Sequence, residues 1–364
     1  MAKNWSKIRL GDICQTNKST YSLSEKWDYV NYLDTGNLTQ DKVSDYQHIV
    51  LGQDKLPSRA RRKVEVDDIL YSTVRPNQLH YGIAKKLLPN TLVSTGFAVI
   101  TVDKEKANSD FIYYYLTQND VTETLQAIGE QSTSAYPSIK PSDIENLEIS
   151  LPTLEEQEVI AHTLRSLDQK IEVNREINHH LAEMAESIWK EKYANLKPNS
   201  TLGNFFPIIT GKKDANVARG GQYPFFSCSQ GISYTDAYSF EGNAILLAGN
   251  GDFNVKTYNG KFEAYQRTYV LIPNNEYRLG FLYYAIKHFL SDITAGDRGS
   301  VIKYITKGDI ENLNLYMPDD ESDFELFNQF VSNTAQNNAE IERLTETRDT
   351  LLPKLMSGEL SVID

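Results

Sequence analysis

Cysteine is nearly absent: Cys14 and Cys228 are the only two in 364 residues, far apart and without metal-type spacing. That excludes a disulfide framework and a zinc cluster, suits a reducing compartment, and leaves both thiols as structural side chains. Long hydrophobic runs are missing too. The run Ala244 to Ala248 is five residues, and Met1-Ala2-Lys3-Asn4-Trp5 carries no apolar signal region. A cytoplasmic protein with no membrane segment is expected. Positive charge is in deficit, with 37 Lys and Arg against 49 Asp and Glu, a formal net charge of -12. A uniformly basic surface for nucleic acid is thereby excluded, because neutralising phosphates requires Lys and Arg. The chain also lacks Gly-x-x-x-x-Gly-Lys-Ser/Thr, His-Glu-x-x-His, Gly-x-Ser-x-Gly and Cys-x-x-Cys, the spacings that hold phosphate, zinc or a nucleophile. Gly249-Asn250-Gly251-Asp252 is too short for a dinucleotide loop and reads as a tight turn between strands. Adjacent His179 and His180 do not share a helix face, so they are expected to be solvated rather than to pair on a metal.

What is present is a rhythm. Between Leu154 and Tyr193, apolar or small residues recur at steps of four and three: Ile160, Leu164, Leu167, Ile171, Leu181, Ala185 and Ile188, with Asn174 and Asn178 at the two middle positions. This is a heptad seam, and a seam Asn fixes register at a cost in stability. The same rhythm returns as Phe327, Phe330, Thr334, Asn337, Ile341, Leu344, Arg348, Leu351 and Leu355. An amphipathic helix of this kind packs as often on its own globular domain as in a coiled coil. Length favours the coiled coil, since about forty residues at about 1.5 Å each make a rod of about 60 Å.

The rest of the chain is one unit written twice. Asp143-Ile144-Glu145-Asn146-Leu147 reappears as Asp309-Ile310-Glu311-Asn312-Leu313, and each copy leads through a proline, Pro152 or Pro318, into a heptad helix. Upstream lie the aromatic runs Phe111 to Leu116 and Phe281 to Ile286, expected to be helical and core-facing, and the strand-like Phe97 to Val102 and Tyr269 to Ile272. Leu10-Gly11-Asp12-Ile13 opens the first copy and Leu202-Gly203-Asn204-Phe205 the second. The offset between copies shrinks from 192 at the opening to 166 at the pentapeptide but holds at 170 along the helices. A fixed helical spacing thus accompanies globular parts of changing length. The expected fold is α+β: two mixed α/β domains, residues 1–152 and 197–318, separated by two long antiparallel coiled-coil helices, 153–196 and 319–364. The repeat implies an internal pseudo-twofold relation.

The acid is concentrated in the helices, where segments 153–196 and 319–364 carry 5 and 3 basic against 9 and 11 acidic residues. The globular segments are near neutral, which leaves room for a basic patch. Arg59-Ala60-Arg61-Arg62-Lys63 is the densest positive cluster, placed on a loop or loop-to-strand junction before Asp68 to Ser72. Such a run is more often a solvated face than a site. Here it is followed by Arg75, Asn77 and Gln78, and Arg, Asn and Gln read guanine and adenine edges by bidentate hydrogen bonds. Phosphate-positioning charge beside base-reading amides is what sequence-specific DNA recognition requires. In the second copy Lys212, Lys213, Arg219, Asn250, Asn254, Lys256, Arg267, Arg298 and Lys303 form a more dispersed counterpart.

The motifs Asp67 to Pro76, Ser94 to Ile100, Tyr136-Pro137-Ser138-Ile139, Ile149 to Gln157 and Leu351 to Leu360 occur in an order that resembles the specificity subunits of type I restriction-modification systems, over essentially the whole chain. The resemblance implies two target-recognition domains, each reading half of a bipartite site in double-stranded DNA, with the helices setting the unread spacer. It implies a chain that is not catalytic and holds no cofactor. Its partners would be two modification (methyltransferase) subunits and restriction subunits, to which S-adenosylmethionine, ATP and magnesium belong. One departure is the start of the second helix, Met317-Pro318-Asp319-Asp320-Glu321, which lacks the Glu155-Glu156-Gln157 of the first. That leaves docking of the second modification subunit open to difference. Two rival readings are a methyltransferase or nuclease with its own active site in one copy, and a purely structural coiled-coil adaptor. Against the first stands the absence of an Asn-Pro-Pro-Tyr or carboxylate-lysine nuclease motif. Against the second stands the placing of Arg59 to Lys63 beside Asn77 and Gln78.

Overall fold

A computed structural model describes residues 5–22, 24–132, 136–294 and 304–362. The chain forms two compact units, the first comprising Met1–Lys170 with Arg343–Asp364 and the second Ile171–Glu342. Both long helices form, Leu154–Tyr193 over 40 residues and Ser322–Met356 over 35, and each unit contains a part of each.

The first helix starts on a capping box. Thr153 Oγ1 accepts from Glu156 N–H at 3.3 Å while Glu156 Oε2 accepts from Thr153 N–H at 3.2 Å, which satisfies donors that a helix start leaves open. Gln157 is fully buried beneath it, donating to the Pro152 carbonyl at 2.9 Å and accepting from Asn108 N–H at 2.8 Å. The glutamine therefore ties the long helix to the start of the aromatic helix Ser109–Leu116. The second helix lacks that glutamine, and Asn328 does the corresponding work. Its carbonyl oxygen accepts from Gly280 N–H at 2.8 Å and its amide donates to the Tyr277 carbonyl at 2.7 Å, at the start of Leu279–His288.

The repeated motifs have a physical reading. In each copy the pentapeptide aspartate caps a single helical turn, Asp143 accepting from Lys140 N–H at 2.6 Å and Asp309 from Thr306 N–H at 2.7 Å. Ile144 and Ile310 point into the core. The opening glycines lie flat against that turn: a Cβ on Gly11 would sit 3.3 Å from the Glu145 backbone oxygen, and one on Gly203 3.1 Å from that of Glu311. Leu10 N–H donates to the Leu147 carbonyl at 3.0 Å and Leu202 N–H to the Leu313 carbonyl at 2.9 Å. Beyond this shared frame the copies diverge. The first unit holds two four-stranded sheets. One is ordered Gln47–Val50, Tyr29–Leu33, Thr91–Ser94, Ala60–Lys63, and the other Cys14–Thr16, Phe97–Val102, Ile69–Ser72, Tyr81–Ile83. The second unit has one six-stranded sheet built around the hairpin Phe240–Ala248 and Val255–Ala264. The two aromatic runs are helical and largely buried, as their spacing requires.

Within each unit the helix segments run antiparallel. In the first, Ile160, Ala161 and Leu164 share a core with Leu355 and Met356, and Asp168 accepts from Arg348 Nη1 at 2.8 Å. Tyr114 O–H also donates to Asp168, at 2.6 Å; burial and that carboxylate push the phenol far above its usual value, so it remains a donor. In the second unit Asn174 donates to Glu340 at 3.2 Å, Asn178 donates to Asn338 at 2.9 Å, and Lys192 donates to Asp323 at 3.1 Å. The ion pair Asp168/Arg348 and the amide pair Asn338/Asn178 are related by the 170-residue repeat.

The seam departs from the heptad reading at one end. Ile188 is only partly buried, and the buried positions become Ala185, Trp189 and Tyr193. This face meets the globular core and the closing helix together, with Tyr193 packed on Phe281 and on Phe327 at centroid distances of 5.0 and 6.2 Å. Trp189, fully buried, packs on His288 with ring centroids 4.9 Å apart and on Phe281 and Phe289 at 5.7 and 5.6 Å.

Gly280 is where the aromatic helix meets the closing helix of the second unit. A Cβ there would lie 2.5 Å from the Phe327 carbonyl carbon and 2.6 Å from Asn328 N. Gly280→Ala must separate two backbones and is predicted to cost about 1–3 kcal/mol in denaturant titration. Gly36→Ala, with nothing within 4 Å of its Cβ, should change stability by less than about 0.5 kcal/mol.

Candidate nucleic-acid interface

In the first unit a run of backbone hydrogen bonds lays four loops side by side. Thr95 N–H donates to the Arg59 carbonyl at 2.9 Å, Thr73 N–H to the Gly96 carbonyl at 2.8 Å, and Arg75 N–H to the Pro137 carbonyl at 2.9 Å. Arg59, on a turn before the strand Ala60–Lys63, is exposed, and so are Asn77 and Gln78 on the loop that follows Ile69–Ser72. The segment Tyr136 to Ile139 serves this loop directly: besides the Pro137 bond, Ile139 N–H donates to the Thr73 carbonyl at 2.9 Å.

The loop from Arg75 to Leu79 is strained. Arg75 has φ +49° and Leu79 φ +57°, flanking the turn Pro76–Gln78. Left-handed backbone in a residue bearing a Cβ costs about 1–2 kcal/mol, and such strain persists where surrounding contacts over-determine it. Here the Asn77 N–H is taken by Gln126 Oε1 at 3.3 Å, and the Arg75 guanidinium lies over the Tyr136 ring, 4.4 Å from its centroid. The result is a half-buried arginine on an exposed tyrosine, next to two exposed amides. Residue spacing gives Tyr136 no place in the site, because it lies about sixty positions from Arg75 and only the fold brings the two together.

The basic cluster does not present all its charges alike. Ala60 is fully buried, and Arg61, Arg62 and Lys63 are half-buried on a strand whose outer edge pairs with residues 19–21. Lys63 is engaged internally: it pairs with Glu25, whose carboxyl it holds below the usual range, and lies 5.5 Å from the Trp27 ring centroid.

In the second unit the tight turn after Phe240–Ala248 forms as expected, with Gly251 at φ +71°. Its polar residues face inward more than their types suggest. Asn254 is buried and donates to the Cys228 and Asp252 carbonyls at 2.9 and 2.7 Å. Lys256 donates to Asn254 and, at 2.7 Å, to the Ser229 carbonyl, and desolvation holds its pKa below the usual lysine value. These two side chains staple the loop 227–232. Lys212, Lys213 and Arg219 are exposed; Lys212 lies 5.4 Å from the Phe240 ring centroid and Arg219 donates to the Asn216 carbonyl at 2.9 Å. Asn250 is half-buried and bridges to Tyr304. Arg298 and Lys303 lie outside the described residues. A further group missed by sequence is Tyr223, Tyr238 and Lys261. The two rings lie 4.8 Å apart, and the Lys261 ammonium is 4.9 Å from the Tyr238 ring.

Among the described residues no group of His, Cys, Asp and Glu is arranged to hold a metal ion, and no helix is long and apolar enough to cross a membrane.

The family profile described as Type I restriction modification DNA specificity domain matches residues 2–183 and 197–346, one match to each copy. The EcoDI type I restriction enzyme specificity subunit of Escherichia coli is 38% identical over 168 residues, 44% of this chain and 38% of that protein. The chain thus spans well under half of that relative. The MjaIX specificity subunit of Methanocaldococcus jannaschii is 22% identical over 420 aligned residues, covering 99% of this chain and 94% of that one. Among solved structures, the S subunit of a type I restriction-modification system from M. genitalium aligns over 97% of this chain and 96% of its own, with a TM-score of 0.62 at 19% identity, which shows the fold.

The strain at Arg75 generates a stability prediction independent of ligand. Arg75→Gly should be more stable than Arg75→Ala by about 1 kcal/mol, because glycine tolerates φ +49° without penalty. Equal midpoints for the two variants in urea titration would remove the case for strain in this loop.

Proposed function

The chain belongs to the type I restriction-modification DNA specificity domain family, and from that premise we propose that it is the sequence-reading subunit of such a complex. The observation that carries this reading is the side-by-side placing of Arg59, Arg75, Asn77 and Gln78 on adjoining, hydrogen-bonded loops of the first unit. Arg59 and Arg61 are assigned to phosphates, and Arg75, Asn77 and Gln78 to base edges, with Tyr136 holding the Arg75 plane in place. In the second unit Lys212, Lys213 and Arg219 take the phosphate role, and Asn250 is assigned to a base edge. Lys63, Asn254 and Lys256 are reassigned to holding the loops, since their polar atoms are engaged within the protein.

On this proposal residues 1–152 and 197–318 read the two halves of a bipartite site in double-stranded DNA, and the helical segments 153–196 and 319–364 set the gap between them. The acidic helices suit protein partners, two methyltransferase subunits and the restriction subunits joined to them, better than they suit phosphate. S-adenosylmethionine, ATP and magnesium are handled by those partners; the cofactor-loop spacings are missing from this sequence.

Co-expressed with its methyltransferase partner, the chain should select from random duplexes a motif of two short blocks separated by an unread gap. Arg59→Ala and Arg61→Ala should each weaken binding across sequences and lower the slope of log affinity against log salt by about one. Unchanged slopes would remove these residues from the phosphate contacts. Micromolar binding of S-adenosylmethionine to the purified chain alone would favour instead an enzyme with its own active site.

A further inference from the structure

The reading loop is connected to the long helix through a second strained turn. The hairpin Leu38–Thr39 and Lys42–Val43 turns at Gln40, φ +47°, and Asp41, φ +67°. Two consecutive left-handed residues are the signature of a type I′ turn, a position usually filled by Asn-Gly or Asp-Gly. The second residue here is not glycine, and neighbouring groups hold the turn in place. Gln40 N–H donates to the Leu79 carbonyl at 3.0 Å and Asp41 N–H to the Tyr81 carbonyl at 2.9 Å. Gly82 lets the turn lie flat on its strand, since a Cβ there would fall 3.0 Å from Asp41 Oδ1.

Both oxygens of Asp41 are engaged. Oδ1 accepts from Ile83 N–H at 2.8 Å, and Oδ2 accepts from Arg165 Nη1, on the long helix, at 3.0 Å. Arg165 also lies 3.8 Å from Asp110, which takes Lys85 at 2.7 Å, and Lys85 reaches on to Asp67 at 2.8 Å. The other side of the hairpin grips the reading loop. His80 Nδ1 lies 2.7 Å from the Leu38 carbonyl and 3.0 Å from Thr39 Oγ1. A continuous path of hydrogen bonds therefore runs from the helix through Arg165, Asp41 and the hairpin to Leu79 and His80, where the strained loop ends.

We propose that Arg165 is a positioning residue for recognition: it fixes the Asp41 turn and thereby the Arg75 to His80 loop, so that discrimination among DNA sequences is set from the long helix. This rests on the assignment of that loop to DNA reading. Arg165 touches no DNA in this scheme. Its loss should blur sequence discrimination and leave phosphate contacts intact, while the half-buried Asp41 carboxylate loses its counter-charge.

The test uses the full chain as wild type, Arg165→Met and Arg165→Lys, with two readouts. The first is hydrogen exchange at residues 75–81, expected to be at least tenfold faster in Arg165→Met and unchanged at Phe97–Val102. The second is the affinity ratio between the duplex that the wild type prefers and a scrambled duplex, at several salt concentrations. The expected result is a loss of about tenfold or more in that ratio with the salt slope unchanged, and partial retention in Arg165→Lys, which keeps the charge but not the planar fork. If Arg165→Met does not fold, Arg165→Lys carries both readouts with the same sign. Unchanged exchange overturns the clamp. Faster exchange with an unchanged ratio overturns its role in specificity. A wild type with no preference among duplexes overturns the reading assignment and the proposal with it, and is told apart by failing before any variant is compared.

Discussion

The structure depends on how two long helices recognise each other when the middle of their seam is not oily. An all-leucine seam would bind more tightly but would tolerate slippage and a wrong partner. Here Asn174 meets Glu340 and Asn178 meets Asn338 in one unit, while Asp168 meets Arg348 in the other. Each of these groups loses its partner if the register slips by one turn, so the cost of a slip rises with every polar pair. The ion pair and its repeat-related amide pair are chemically different. The pairing is therefore not self-complementary: a first-repeat helix facing its own copy would set Asp168 against Asn178, leaving a carboxylate without its arginine. Specificity of this kind is gained at some expense of stability, since partly buried ion pairs contribute little net energy.

The same helices are then claimed at their ends by the globular cores. Trp189 and Tyr193 enter the aromatic cluster of the second unit, and Ile160, Ala161 and Leu164 the core of the first. Gln157 and Asn328 pin the two helix starts to the aromatic helices by equivalent amide contacts from different residues. What repeats between the copies is thus the frame that meets the helices: the opening leucine and glycine, the capped pentapeptide turn, the aromatic helix. What differs is the sheet and its loops, which in the first unit also reach the long helix through Asp41 and Arg165.

This division also explains what the sequence could reveal. Helix positions follow a local period, so 40 residues from Leu154 to Tyr193 were legible from spacing alone. The repeated pentapeptide was legible because its chemistry is local, an aspartate capping its own turn. The shift from Ile188 to Trp189 was not, because it depends on where the core of the second unit lies. The strand orders were not, because Thr91–Ser94 lies between Tyr29–Leu33 and Ala60–Lys63, pairings across dozens of residues. Nor does residue spacing show that Lys63 stands beside Glu25, or Lys256 beside Asn254 and the Ser229 carbonyl. The strained loops at Gln40, Asp41, Arg75 and Leu79 carry no glycine to announce them. They are held by tertiary hydrogen bonds, and that is the level at which the proposed reading surface is defined.

If the helical pair sets the gap between half-sites, its length must be readable in the DNA. Matched insertions of four residues after Glu176 and after Ala339 keep the residues on either side of them paired as before, at the cost of a local unwinding, and lengthen each helix by about 6 Å. At roughly 3.4 Å per base pair this corresponds to one or two additional pairs. The measurement is the methylated motif produced in cells by the complex containing the double-insertion chain. The account predicts the original half-sites with a gap longer by one or two base pairs; an unaltered gap with changed half-sites would contradict it.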